Sequence, residues 1–257
     1  MTDLQPNREC RVDWTALVPE DDWRVYARVL DECDIRGVRY VLGGGLAFSE
    51  LSGRSRNTKD LDLYVLPGQR ELAIEAVTAA GMHDYFDELP YDRTWIYRGR
   101  QAPLIVDIIW TSPNHRIMVD DEWLSCGPTI RVHDRCVRLI PPEELIVAKL
   151  YVLQKDRCDW VDLLNVLNDQ AFEFDWDRLL ARVGTRDAAL LGGLLSTFRW
   201  LCPNDSRGIP DYVWTKCGLL PPSQAPDPGP REDRAWILDS RDWFGPKPIK
   251  HPEPPKA

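Results

Sequence analysis

Apolar positions along this chain follow two periods in turn, three to four residues for helices and two for strands, and the elements can be read where one gives way to the other. Residues 1 to 18 keep neither period and read as a loose arm. Pro19 and the acids Glu20, Asp21 and Asp22 stand where a helix begins, which is predicted from about Asp22 to Cys33 with Gly37 as its stop. Val38, Tyr40, Val41 and Leu42 form a short β-rich run ending in Gly43-Gly44-Gly45, and Leu46 to Leu51 reads as a short helix opened by that turn. After the polar stretch Arg54 to Lys59, Asp60 to Leu66 is a strand stopped by Pro67-Gly68, and Arg70 to Ala80 a helix stopped by Gly81. Arg93 to Arg98 alternates as a strand does, with Thr94, Ile96 and Arg98 on one face. Leu104 to Trp110 is a mostly apolar strand, and Gly99 to Pro103 between them suits a hairpin loop.

Further on, Thr129 to His133 and Cys136 to Ile140 read as two short strands, and Pro141-Pro142 opens a helix from Glu143 to about Gln154. Asp159 to Leu167, Trp176 to Val183 and Asp187 to Trp200 are predicted helices. More than half of the 21 prolines fall after residue 202, a composition foreign to a packed core. The expected fold class is therefore α+β: a small mixed sheet flanked by helices, a helical C-terminal region and a proline-rich tail. The core is expected over residues 19–140, a helical region packing on it over 141–202, and the tail over 203–257, partly docked or disordered. Trp214, Trp236 and Trp243 argue that some of the tail docks, because indoles are unusual on solvated linkers.

Composition narrows the function. At 257 residues and 44% hydrophobic, the chain can fill a core. It has neither a membrane-length apolar run nor the features of a signal peptide, so a cytoplasmic protein without a membrane partner is expected. The seven cysteines form no CxxC pair and are odd in number, which fits a reduced compartment. Cys126, His133 and Cys136 lack a fourth ligand at plausible spacing, and a zinc site is set aside. A net charge of −9 argues against non-specific binding to nucleic-acid backbones, while a surplus of carboxylates suits a cation site.

The chemistry gathers around the glycine triplet and the strand after it. Asp60 and Asp62 are two apart on a strand, so both carboxylates share one face, where a cation would relieve their repulsion. A solvated strand face is the plain alternative. Asp107 stands among apolar neighbours in Leu104 to Trp110, where an unpaired charge is costly. It is either a hydrogen-bonded structural aspartate or, if its strand lies beside that of Asp60 and Asp62, the third member of a clamp for phosphoryl or nucleotidyl transfer. Two magnesium ions, or manganese in their place, are expected there. One would activate the attacking hydroxyl and the other steady the pyrophosphate, with Asp107 drawing the acceptor's proton.

Gly44 and Gly45 let backbone N–H groups approach phosphate oxygens, although a glycine triplet alone is equally a plain tight turn. Arg54, Arg56 and Lys59 bring positive charge beside that turn or belong to a solvated loop, and Ser49 and Thr58 offer hydroxyls. Lys149 is the only charge from Leu145 to Leu153 and needs an anion, either a nucleotide phosphate or a carboxylate from the sheet, unless it snorkels to the surface. Asp159 and Asp162 lie on one helical face, and Asp159 could serve as an N-cap.

Gly43-Gly44-Gly45-Leu46-Ala47, Gly53 to Leu63 with Lys59-Asp60-Leu61-Asp62, and Val106-Asp107-Ile108 together resemble the minimal nucleotidyltransferase superfamily, in particular its bacterial AbiEii-like branch. Pro142 to Leu150 and Arg157 to Leu163 are similar to that branch's helical motifs, and the four blocks follow the family's order from near Tyr40 to Leu167. The resemblance implies a metal-dependent transfer of a nucleoside monophosphate from an NTP to a hydroxyl on a small molecule, an RNA such as tRNA, or a protein, with release of pyrophosphate. It assigns Asp60 and Asp62 to the metal pair, Asp107 to the third carboxylate, Gly44 and Gly45 to the phosphate turn, and Lys149 and Asp159 to the later lysine and aspartate. An antitoxin-like partner is a further implication, since some relatives are toxins. Leu46 stands where many members have serine, so a retired, inactive nucleotide-binding or partner-docking module is the alternative reading.

Overall fold

Two units make up the chain, residues 1–141 and 142–257, and the structure, a computed structural model, describes residues 4–55, 58, 60–155, 157–171 and 173–226. The first unit runs α1 (Trp14–Leu17), α2 (Glu20–Ile35), β1 (Tyr40–Leu42), α3 (Gly44–Ser52), β2 (Asp60–Val65), α4 (Arg70–Ala79), β3 (His83–Asp84), β4 (Ile96–Gln101), β5 (Leu104–Ile109), α5 (Asp121–Ser125), β6 (Thr129–Val132) and β7 (Arg135–Arg138). The second runs α6 (Pro142–Leu150), α7 (Trp160–Gln170), α8 (Trp176–Leu201) and α9 (Asp211–Lys216).

In the first unit five strands form a mixed sheet in the order β1-β2-β5-β4-β3, in which only the central pair, β2 and β5, is parallel. Strand alternation sorts its side chains. Leu61, Leu63 and Val65 of β2 and Val106 and Ile108 of β5 are fully buried, in one core with Trp23, Tyr26, Leu30 and Cys33 of α2 and Ala73, Ala76 and Val77 of α4. The helical residues recur every three to four positions, which gives α2 one apolar stripe. The other face of β2 carries Asp60, Asp62 and Tyr64, all only partly covered.

The hairpin of β4 and β5 is tighter than the sequence suggests. Pairing continues to Gln101 opposite Leu104, so the turn is Ala102-Pro103 alone, and Gly99 to Gln101 belong to the strand rather than to a five-residue loop. Gly99 is paired with Val106 within the strand, and a side chain is excluded there because a methyl of Val77 lies 2.3 Å from where its Cβ would be. Residues 4–18 are no loose arm either. The N–H groups of Asn7 and Arg8 donate to Thr129 O, and the fully buried Glu50 of α3 accepts from Arg11 N–H at 2.7 Å and Trp14 Nε1 at 2.8 Å.

The second unit is helical. Helix α6 stops at Leu150, short of the expected Gln154, because the chain turns back and Gln154 N–H donates to Arg157 O at 2.7 Å. Helix α8 covers both expected helices, with the break between them at Gly184 (φ 71°, ψ 169°). Glu143 and Glu144 of α6 are buried and face Arg178 and Arg182 of α8, the Glu144 pairs lying at 3.2 Å. Trp214 of α9 is fully buried, whereas Trp236 and Trp243 lie outside the described residues. Among the described residues no helix is long and apolar enough to cross a membrane.

Candidate active site

Strand register assembles the acidic face. In the parallel pair, Asp62 of β2 lies directly opposite Asp107 of β5, and in the neighbouring antiparallel pair Asp107 lies opposite Arg98 of β4. Residues opposite one another in adjacent strands point to the same side, about 4.8 Å apart. Asp62, Asp107 and Arg98 thus form a row across the sheet, with Asp60 two positions along on the same face.

Asp107 is 2% exposed and has a partner that sequence reasoning did not assign. Arg98 Nε donates to its Oδ1 at 2.8 Å and Nη2 to its Oδ2 at 2.6 Å, a two-pronged guanidinium–carboxylate pair. Burial pushes the Asp107 carboxyl above its ordinary value, the Arg98 hydrogen bonds and charge pull it back, and the charge of Asp60 adds to the rise. Arg98 is held more firmly protonated, first by its bond to Asp107 and then, against the cost of burial, by the charges of Asp107, Asp60 and Asp62. Among the described residues no group of three His, Cys, Asp or Glu side chains is placed to hold a metal, and both oxygens of Asp107 accept from Arg98. Asp60 and Asp62 remain as hard oxygen donors of the type that magnesium shares with substrate phosphates.

The glycine turn fits closely around Asp62. Gly44 has φ +57°, and a Cβ on it would fall 1.6 Å from Asp62 Oδ2. The carboxylate therefore lies against the N-terminus of α3, whose N-cap residue, Gly43, has no side chain to cap the first N–H groups. A Cβ on Gly43 would fall 2.1 Å from the Tyr64 ring, and one on Gly45 would fall 3.2 Å from Thr58. Each glycine thus has a steric reason. Thr58 Oγ1 accepts from Asp60 N–H at 3.3 Å, and Ser49 Oγ donates to Gly45 O at 3.0 Å, so both hydroxyls belong to the turn. Arg54, half-buried, follows α3 with its N–H donating to Ser49 O. Arg56 and Lys59 lie outside the described residues.

Lys149 and Asp159 belong to the second unit. Lys149 is 7% exposed, and its Nζ donates to Asp159 Oδ2 at 2.7 Å and Asp162 Oδ2 at 2.8 Å. Its anion is thus a pair of carboxylates at the start of α7, neither the sheet's nor the solvent's. Asp159 occupies the N-cap position of α7 without capping it, since its oxygens go to Lys149 and to Arg157 Nε at 2.9 Å. Burial alone would raise the Asp159 carboxyl, but the Arg157 bonds and the Lys149 charge outweigh it and bring it down to about 2.

Among curated proteins none matches the sequence. An antibiotic-resistance factor, ANT(2'')-Ia, is similar in structure at 17% identity over 68% of this chain and 90% of its own, with a TM-score of 0.41. The lincosamide antibiotic adenylyltransferase LnuA is similar at 18% identity over 58% of this chain and 96% of its own, with a TM-score of 0.41. An antigenic nucleotidyltransferase-like protein from Paracoccidioides brasiliensis is similar at 16% identity over 76% of this chain and 98% of its own, with a TM-score of 0.42. Residues 21–185, more than half of the chain and including Gly44, Asp60, Asp62, Arg98 and Asp107, match the family described as "Nucleotidyl transferase of unknown function (DUF2204)", and the chain belongs to that nucleotidyltransferase family.

Proposed function

We propose that this protein transfers a nucleoside monophosphate from an NTP to a hydroxyl acceptor with the aid of a divalent cation, and that Asp60, Asp62 and Asp107 carry the reaction. The observation that carries this reading is the row of Asp62 and Asp107 in direct register, with Asp62 seated against Gly44 at the opening of α3. Asp60 and Asp62 would hold magnesium, which, when bound, draws charge from the phosphate oxygens at which transfer occurs. The first N–H groups of α3 face the same anion, and Gly44 and Gly45 keep side chains out of its way. Arg54 stands by as a further positive group. The acceptor oxygen bonds to the α-phosphorus, the bond to the bridging oxygen of the β-phosphate breaks, and pyrophosphate leaves. Asp107, fixed by Arg98, takes the acceptor's proton through the lone pairs that Arg98 leaves over.

Lys149 and Asp159 pair with each other. Each is engaged within its own unit, and there they fix the start of α7.

The test is magnesium-dependent pyrophosphate release from each NTP in turn, with extract fractions supplying acceptors. Asp60→Ala and Asp62→Ala should each abolish release while the chain keeps its helical circular dichroism. Undiminished release in either variant would remove the mechanism, and nucleotide binding without any covalent product would leave a nucleotide-binding module instead.

A further inference from the structure

We propose that Arg98 is a resident cation of the site, so that the acidic row takes one divalent ion, at Asp60 and Asp62, and the place beside Asp107 belongs to the guanidinium. This rests on the nucleotidyl-transfer reading above and makes it more specific.

Three observations lead to it. First, Asp107 faces Arg98 in strand register, so the pairing is set by the backbone and does not depend on a chance side-chain excursion. Second, the pair is bonded through both carboxylate oxygens, at 2.8 and 2.6 Å, and the carboxylate end is almost wholly shielded from water, with 3% of the side chain exposed. An ion pair in such surroundings is screened little, and its geometry is held by two parallel bonds. Third, the position of Arg98 is itself anchored. Its N–H donates to Tyr91 Oη at 2.8 Å, and the Tyr91 hydroxyl donates to Asp84 Oδ1 at 2.9 Å.

A second divalent ion at Asp107 would sit against this guanidinium, cation to cation, or would have to displace it from a buried carboxylate. Arginine suits the place because its charge persists at any pH the protein meets and its planar fork matches a carboxylate.

The experiment is a manganese titration of the full chain with an α,β-methylene NTP analogue, followed by electron paramagnetic resonance of the free ion. One bound manganese per chain is expected in the wild type, one in Arg98→Lys, which keeps the charge, and two in Arg98→Met, which removes it. Two ions in the wild type would overturn the proposal, as would a folded Arg98→Met that still binds one. Should Arg98→Met fail to fold by circular dichroism, the wild-type and Arg98→Lys counts decide: one each supports the proposal, and two in either overturns it. Two ions with intact pyrophosphate release would defeat this inference alone. No bound ion, with no release, would defeat the transfer reading together with it.

Discussion

Gly44→Ala is the sharpest probe of the site, because the structure separates the two things it does. The residue sits at φ +57°, where an L side chain costs about 1–2 kcal/mol in backbone strain alone. Its new Cβ would also lie 1.6 Å from Asp62 Oδ2, against a comfortable separation of about 3.5 Å. Either the carboxylate or the turn must move by more than an ångström. Displacements of that size at reacting groups lower rates about a hundredfold. Gly37→Ala supplies the control, since Gly37 has φ +68° and nothing within 4 Å of its would-be Cβ. In urea unfolding Gly37→Ala should lose about 1–2 kcal/mol and keep full pyrophosphate release. Gly44→Ala should lose more stability than that, and its release should fall about a hundredfold. If the two variants release pyrophosphate equally well, the seating of Asp62 against the turn is not what the reaction needs.

Two further outcomes test other parts of the structure. Glu50→Ala strands the Arg11 N–H and the buried Trp14 Nε1, and should cost about 3 kcal/mol in urea unfolding with faster exchange of the Trp14 indole proton; a loss near zero would mean that the N-terminal segment docks by other means. Asp159 is ionised more readily in the folded chain, at about 2 against an ordinary 3.8, so its contribution is complete above pH 4 and disappears as the pH falls toward 2. That difference is worth about 2 kcal/mol, and the stability gap between wild type and Asp159→Asn should shrink over the same range; a gap that ignores pH would show that the ion pair with Lys149 and Arg157 is not its source.

Local sequence was enough for the main elements of the sheet and for the pair of acids. Periodicity located α2, β2, α4 and β5, the two-residue spacing put Asp60 and Asp62 on one face, and the Gly43–Gly45 triplet marked a turn where strand passes into helix. These are decided within a few residues by backbone sterics and by alternation. The partners of Asp107 were not legible in this way. Its parallel register with Asp62 spans a helix and two strands, and no local rule sets which residues of distant strands meet. Arg98 stayed hidden for a related reason. A five-residue loop after it would bring it opposite Leu104, and only the two-residue turn at Ala102-Pro103, with Gly99 in the strand against Val77, slides it into line with Asp107. Lys149 announced from sequence that it needed an anion, but which carboxylates met it depended on the chain turning back after Leu150 to bring up Asp159 and Asp162. Sequence by itself showed that Asp107 and Lys149 carry charge into apolar surroundings, whereas the buried Glu50, Glu143 and Glu144 gave no such sign. Tertiary structure decided what neutralises each one, because burying a charge demands a partner without specifying its place in the chain.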